Sequence, residues 1–188
     1  ANGNDGATPQ TSAGAAKKLR VEVWADLICP WCGLGDRRLE MALARFEHAA
    51  DVEVVHRSFQ LDERAPEGVT RTVTEMLRGK LGLSTAQIDG MTKRVEDLAR
   101  ADGLTPYIVR ENRVGNTSLA HELAAFAAEH GKAGEAWKHL YRAYFGEARS
   151  IFDIDSLAQI ASEIGLSADA AAARCGATER TRRAPACR

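Results

Sequence analysis

Residues 19–40 read LRVEVWADLICPWCGLGDRRLE, and this stretch decides the fold. Leu19, Val21 and Val23 alternate with Arg20 and Glu22, the two-residue period of a strand. From Trp24 onward the run turns apolar at nearly every position, as in a central strand of a covered sheet. It leads directly into Cys29-Pro30-Trp31-Cys32-Gly33. Leu39, Leu43 and Phe46 then follow at helical spacing, which predicts a helix over roughly 32–49. Residues 52–61, VEVVHRSFQL, are rich in β-branched side chains and read as a second strand. Strand, helix, strand is a βαβ unit, so the two strands are expected to be parallel with a right-handed crossover.

After Pro66 the pattern changes to successive helices. A short one is expected over 70–80, ended by Gly82. Ser84 and Gln87 have capping-box spacing and open a second, which stops at Gly103. Asn116 is expected to cap a third, with Leu119, Leu123 and Phe126 on one face and Gly131 at its end. A fourth spans about 133–148 and carries Trp137, Leu140, Tyr141 and Tyr144, an aromatic set that reads as core. A fifth opens near Asp155 and stops at Gly165, and Ser167 caps a sixth, alanine-rich piece. The chain therefore divides into a polar lead-in (1–18) without an intact secretory signal, a βαβ segment (19–65), a helical block (66–173) and a tail (174–188). The tail, RCGATERTRRAPACR, has five arginines and no usable apolar period, so it reads as irregular.

Composition narrows the function classes. The 188 residues suit one domain, or one domain with an insertion. With 25 basic residues against 26 acidic ones, the chain has no electrostatic footprint for nucleic acid or an anionic membrane. No apolar run approaches the eighteen or so residues of a membrane-spanning helix. Four cysteines are too few for a disulfide-stapled scaffold of this length.

Two of those cysteines form C-x-x-C at the mouth of a helix, and that pattern carries chemistry. Cys29 falls just outside the helix, where unpaired backbone N–H groups and the helix dipole favour a thiolate. Cys32 lies about one turn inside. Pro30 suits the first helical position, because it lacks the N–H that would be unpaired there. Trp31 supplies a flat apolar surface. These residues predict a thiol–disulfide centre with Cys29 attacking and Cys32 resolving. A structural zinc site is the competing reading of the spacing. It would need two more soft ligands, whereas Cys175 and Cys187 have eleven residues between them beside the tail and the histidines at 48, 56, 121, 130 and 139 are scattered. No metal and no cofactor is expected.

The stretch VEVWADLICPWCGLGDRRLE resembles the opening of the DsbA-type thioredoxin-like proteins, specifically their FrnE-like branch. Similarity continues through Thr74-Glu75-Met76, the residues GLTPY at 103–107, Asn116 to His121, and AYFGEARSIFDID at 143–155. The resemblance implies an α/β thioredoxin-like fold with a large inserted helical domain, acting on protein or small-molecule thiols and disulfides. It places the active pair on Cys29 and Cys32, tuned by Pro30 and Trp31. Asp26, three residues before Cys29, is a candidate for accepting or relaying a proton during exchange; a solvated carboxylate at a strand end is the plainer reading. His121 is a candidate for lining the cleft, against a packed core histidine.

The sequence departs from the family pattern near its end. No proline among 9, 30, 66, 106 and 185 follows the family's cis-proline segment, so the fold is expected to be truncated before its last strands. That predicts an unprotected edge on the first strand, self-association through it, and impaired handling of protein substrates. A cytoplasmic setting is expected. Two other functions fit this architecture: a glutathione-dependent isomerase or transferase of the kappa-class type, such as 2-hydroxychromene-2-carboxylate isomerase, and a non-catalytic helical binding module. The first usually carries serine in the place of Cys29.

Overall fold

The computed structural model describes residues 18–183, with side chains through residue 177. The lead-in, Pro185 and Cys187 lie outside the described residues. Strands β1 (Leu19–Ala25) and β2 (Val52–Ser58) pair in parallel, from Leu19 opposite Val52 to Ala25 opposite Ser58. Helix α1 (Pro30–Leu43) makes the crossover between them. Because side chains alternate across a strand, Val21, Val23 and Ala25 share one face with Val54 and His56. Trp24 and Glu22 point the other way beside Arg57 and Val55; Glu22 accepts from Arg57 at 2.8 Å, and Trp24 stays 64% exposed. Among the described residues β1 pairs on one side only.

Helix α1 ends at Leu43, six residues short of the expected end at 49. The chain folds back through tight turns at 44–46 and a 3₁₀ turn, Ala49–Asp51, into β2. Phe46, whose spacing suggested a helical core position, is 47% exposed beyond that turn.

The helical block follows as expected in number and order. A two-residue bridge pairs β3 (Arg71–Thr72) with β4 (Arg113–Val114), and α2 (Val73–Leu81) and α3 (Thr85–Ala101) lie between them. Both helices open with complete capping boxes, Thr72 with Glu75 and Ser84 with Gln87. Gly82 closes α2 in the left-handed conformation that glycine adopts without a Cβ penalty. Helix α4 (Ser118–Glu129) starts two residues after Asn116, which is not its N-cap residue; Asn116 accepts the Ser118 N–H at 2.9 Å and donates to the Ala65 carbonyl at 2.8 Å. Helix α5 (Ala133–Tyr141) continues into a π turn, Arg142–Gly146. The wider turn frees carbonyls that are caught from outside: Ile108 N–H donates to Phe145 O at 2.6 Å, and the Asn112 amide to Tyr144 O at 3.0 Å.

Helices α6 (Ile154–Glu163) and α7 (Ala168–Arg183) complete the block. The reading of the tail as irregular is corrected over 174–183, because α7 continues through Arg183; residues 184–188 lie outside the described residues. Alanine and arginine are both strong helix formers, so helix persists without an apolar stripe. Its middle is anchored: Cys175 is buried against the Leu119 carbonyl, and Arg174 pairs with Glu129 at 3.0 Å. One continuous core joins Leu27 and Leu34 of the βαβ unit to Leu123, Trp137, Phe145 and Ile160 of the helices. The turn between β1 and α1 therefore sits at the seam of the two parts.

Candidate active site

Leu27, fully buried, pins the turn that follows β1. The Cys29 N–H closes it on the Asp26 carbonyl at 3.2 Å, leaving Cys29 extended (φ −81°, ψ 110°) at the N-cap of α1. Its carbonyl accepts Cys32 and Gly33 N–H at 3.0 and 3.2 Å, and its Sγ accepts Cys32 N–H at 3.3 Å. Pro30 occupies the first helical turn, where no donor is needed. Trp31 is 52% exposed beside the pair. Both sulfurs are free thiols on half-buried residues; Cys29 stands at the N-cap, and Cys32 lies one turn inside, beside the core.

The two thiols ionise together. The sulfurs are hydrogen-bonded to each other, and this bond governs their ionisation more than the helix terminus does. The Cys29 thiol is pushed up, first by its hydrogen bond to Cys32 and then by burial; the two backbone donors oppose this and lose. Cys32 is drawn down to about 7, chiefly by the hydrogen bond it receives from Cys29. The two thiols titrate as one pair that shares a proton, with one thiolate available near pH 7.

A buried polar layer lies beneath the turn. Asp26 is 1% exposed, so the solvated reading fails. Its Oδ2 accepts the Leu61 N–H at 2.7 Å, and its Oδ1 lies 3.2 Å from His121 Nε2. Its negative charge bears on Cys32. His121, on the first turn of α4, is buried against Trp137. The structure thus brings Asp26, Cys29, Cys32 and His121 together from the turn after β1, the mouth of α1 and α4.

Sequence reasoning missed Tyr107 and Gly33. The Tyr107 hydroxyl donates to the Pro30 carbonyl at 2.6 Å, and its ring stacks on Phe145 at 4.7 Å. A Cβ on Gly33 would fall 2.6 Å from that hydroxyl, so the aromatic layer reaches the site only because position 33 is glycine. The signal available was GLTPY, a turn segment with a tyrosine directly after its proline. Tyr141 lies alongside, its hydroxyl buried without a partner among the described residues. Burial pushes the ionisation of both phenols up, so both stay neutral.

Cys175 is far from a ligand's role. Burial raises its thiol to about 11, and among the described residues no group of three or more His, Cys, Asp or Glu is placed to hold a metal ion. Nor, among those residues, is any helix long and apolar enough to cross a membrane.

The model of the DSBA-like thioredoxin domain matches residues 20–180. The chain belongs to that family. A crystal structure of a probable DsbA oxidoreductase from Streptomyces coelicolor is 35% identical, with a TM-score of 0.77 over 88% of this chain and 76% of that one. The uncharacterized protein YwbO of Bacillus subtilis is 28% identical over 79% of this chain and 67% of its own length. The structure of a 2-hydroxychromene-2-carboxylate isomerase matches with a TM-score of 0.65 at 14% identity, over 88% of this chain and 75% of that one, a likeness of fold alone. Membership in the DSBA-like family makes thiol–disulfide oxidoreduction the general chemistry to which the site belongs.

Proposed function

We propose that this chain exchanges disulfides with thiol or disulfide substrates through Cys29 and Cys32. The observation that carries the reading is the sulfur pair at the N-terminus of α1, hydrogen-bonded so that a thiolate is available near pH 7. Cys29 is the sulfur that meets substrate, because Cys32 is packed against the core. When a substrate disulfide approaches, the Cys29 proton moves across the hydrogen bond to Cys32. The Cys29 thiolate attacks one substrate sulfur; that S–S bond breaks, and the other sulfur leaves as a thiolate. Cys32, now protonated, must lose its proton before it can attack Cys29 and release the bound half of the substrate. The substrate is reduced by two electrons, and the pair is oxidised to a disulfide. The reverse sequence oxidises a substrate dithiol.

Asp26 serves the second step in this reading. It is a buried carboxylate under the turn, with its charge on Cys32, and proton acceptors in that position assist by holding the base in place. Pro30 fixes the turn, and Trp31 offers the exposed apolar surface against which a substrate rests.

Reduction of a small aromatic disulfide and of an insulin-type protein disulfide, by wild type and by Cys29→Ser, tests the proposal. Wild type should turn over at least the small disulfide, and Cys29→Ser neither. Equal rates in the two proteins would refute it. Glutathione-dependent isomerisation without disulfide turnover would point instead to the isomerase chemistry.

A further inference from the structure

A cavity of about 410 Å³ opens beside the sulfur pair, and the exchange step itself makes no use of it. Ile28 and Pro30, the residues on either side of Cys29, form one end of it, so an occupant lies next to the attacking sulfur. Its floor is apolar, made by Pro66, Val69, Met76 and Val114. The 2.7 Å bond from Leu61 N–H to Asp26 Oδ2 fastens one wall to the turn that carries Cys29. Gly115 lets the other wall close down on β4, because a Cβ there would stand 3.0 Å from the Val69 carbonyl oxygen and 3.1 Å from Thr70 Cγ2. Leu61 and Val69 are both more than half exposed, so the apolar walls are open to an incoming group. The rim is cationic: Arg64, Arg71 and Lys80 stand there against the single carboxylate of Asp62, which leaves it two charges positive. Asp62 is shared between Lys80 at 2.5 Å and Arg71 at 3.8 Å. Glu63 and Glu67, in the same loop, line other cavities.

We infer that this groove holds the peptide segment next to a substrate's reacting cysteine and selects segments that carry apolar and acidic side chains. The inference rests on the exchange reading of Cys29 and Cys32. An apolar side chain gains by leaving water for the floor. A carboxylate beside it meets the cations of the rim, whereas a lysine meets like charge. The volume lies in the lower part of the range of about 300–1,000 Å³ typical of ligand cavities. It has room for a side chain or two but not for a folded surface, so the occupant is an extended segment, with residues about 3.3 Å apart.

The test uses the reduced full chain and short peptides whose single cysteine is disulfide-linked to thiopyridine. The Cys29 thiolate attacks the peptide sulfur, the bond to the pyridine sulfur breaks, and that sulfur leaves with the electron pair and is read by absorbance. Cys32 then gives up its proton, ultimately to the buffer, and attacks Cys29, which frees the peptide thiol. Each rate is divided by that of the same peptide with mercaptoethanol, which removes differences in intrinsic reactivity. An exposed charge pair changes an affinity by up to about fivefold. Glu-Leu-Cys-Leu-Glu should therefore react about tenfold faster than Lys-Leu-Cys-Leu-Lys; the apolar floor should make it about threefold faster than Glu-Ser-Cys-Ser-Glu. In 1 M salt, where the Debye length falls to about 3 Å, the ratio of the Glu to the Lys peptide should drop to within about twofold. Arg64→Glu should lower that ratio about threefold or more, while Arg45→Glu, the same change of charge just past the far end of α1, should keep the wild-type ratio. A ratio near one, a ratio that Arg45→Glu lowers as much as Arg64→Glu, or serine peptides as fast as leucine peptides would overturn the inference. So would peptides that react alike while a carboxylated aromatic disulfide outruns an uncharged one, an outcome that assigns the groove to small molecules. A wild type inert toward uncharged dipyridyl disulfide would instead sink the exchange reading itself.

Discussion

Replacing Gly33 by alanine separates the ordinary helix effect from the contact that supports the active-site turn. At an unencumbered helical position, glycine to alanine stabilises by about 0.5–1 kcal/mol. Gly35, two residues on in the same helix, is such a position, with no atom within 4 Å of an added Cβ. At Gly33 the added carbon would stand 2.6 Å from Tyr107 Oη, 3.3 Å from a Tyr141 ring carbon and 3.4 Å from a Phe145 ring carbon. Tyr107 cannot swing aside cheaply, because its ring is stacked on Phe145 and its hydroxyl bonds to Pro30 O at 2.6 Å. Loss of that bond costs about 0.5–1.5 kcal/mol, and forcing a carbon into a packed layer costs about 1–3 kcal/mol. Set against the helical gain, Gly33→Ala should destabilise by about 1–3 kcal/mol while Gly35→Ala stabilises slightly. Urea unfolding of the reduced protein reads both. In a Tyr107→Phe background the obstructing oxygen is gone, so Gly33→Ala should lose most of its cost, a coupling visible in a double-mutant cycle. A Gly33→Ala protein as stable as Gly35→Ala, or one equally impaired with and without the Tyr107 hydroxyl, would refute the reasoning.

Three further outcomes follow from the same structure. Thiolate absorbance of the reduced protein should rise through about pH 7, whereas a free cysteine ionises near 8.5; in Cys29→Ala, which removes the sulfur–sulfur bond, Cys32 should move back up. The sign for stability has two parts. The lowered thiol adds stability to the reduced fold as pH rises from about 7 to the free-thiol value. Above that value the raised Cys29 thiol, protonated when folded and ionised when unfolded, draws stability down again, so unfolding across pH should show a maximum near the free-thiol value. Cys175, buried and raised to about 11, should resist alkylation in the native protein and react once it is unfolded in denaturant; native labelling as fast as that of the pair would contradict its placement. Leu123→Ala, at a fully buried site on α4, should cost about 2–5 kcal/mol in urea unfolding, and a loss below 1 kcal/mol would mean that this helix does not form the core.

Patterns local in sequence were legible before the structure. The βαβ unit, the Ser84–Gln87 capping box, the glycine stop at Gly82 and the helix mouth at Cys29 all depend on residues a few positions apart. The end of α1 was not legible, since Phe46 keeps helical spacing but belongs to a turn that the return of β2 imposes. Residues 174–183 were misread because apolar period was demanded of a segment whose arginines, following the alanine run of 170–173, sustain helix without it. At the site, the two cysteines announce themselves by spacing, while the coupling of their ionisation depends on a sulfur–sulfur contact that spacing does not reveal. Asp26 and His121 are 95 residues apart, and their union appears only when α4 packs beneath the turn. Tyr107 likewise reaches Pro30 across 77 residues, and Gly33 gains its meaning from that contact.

The central claim is that Cys29 receives the substrate and Cys32 releases it. The most direct measurement is intact mass and peptide mapping after each single variant has reacted with a disulfide substrate. Cys32→Ser, lacking the resolving sulfur, should accumulate a mixed disulfide on Cys29, while Cys29→Ser should stay largely unmodified and the wild type should end with a Cys29–Cys32 bond. Substrate trapped on Cys32 in the Cys29→Ser protein but not on Cys29 in the Cys32→Ser protein, or no Cys29–Cys32 bond in the oxidised wild type, would contradict the account.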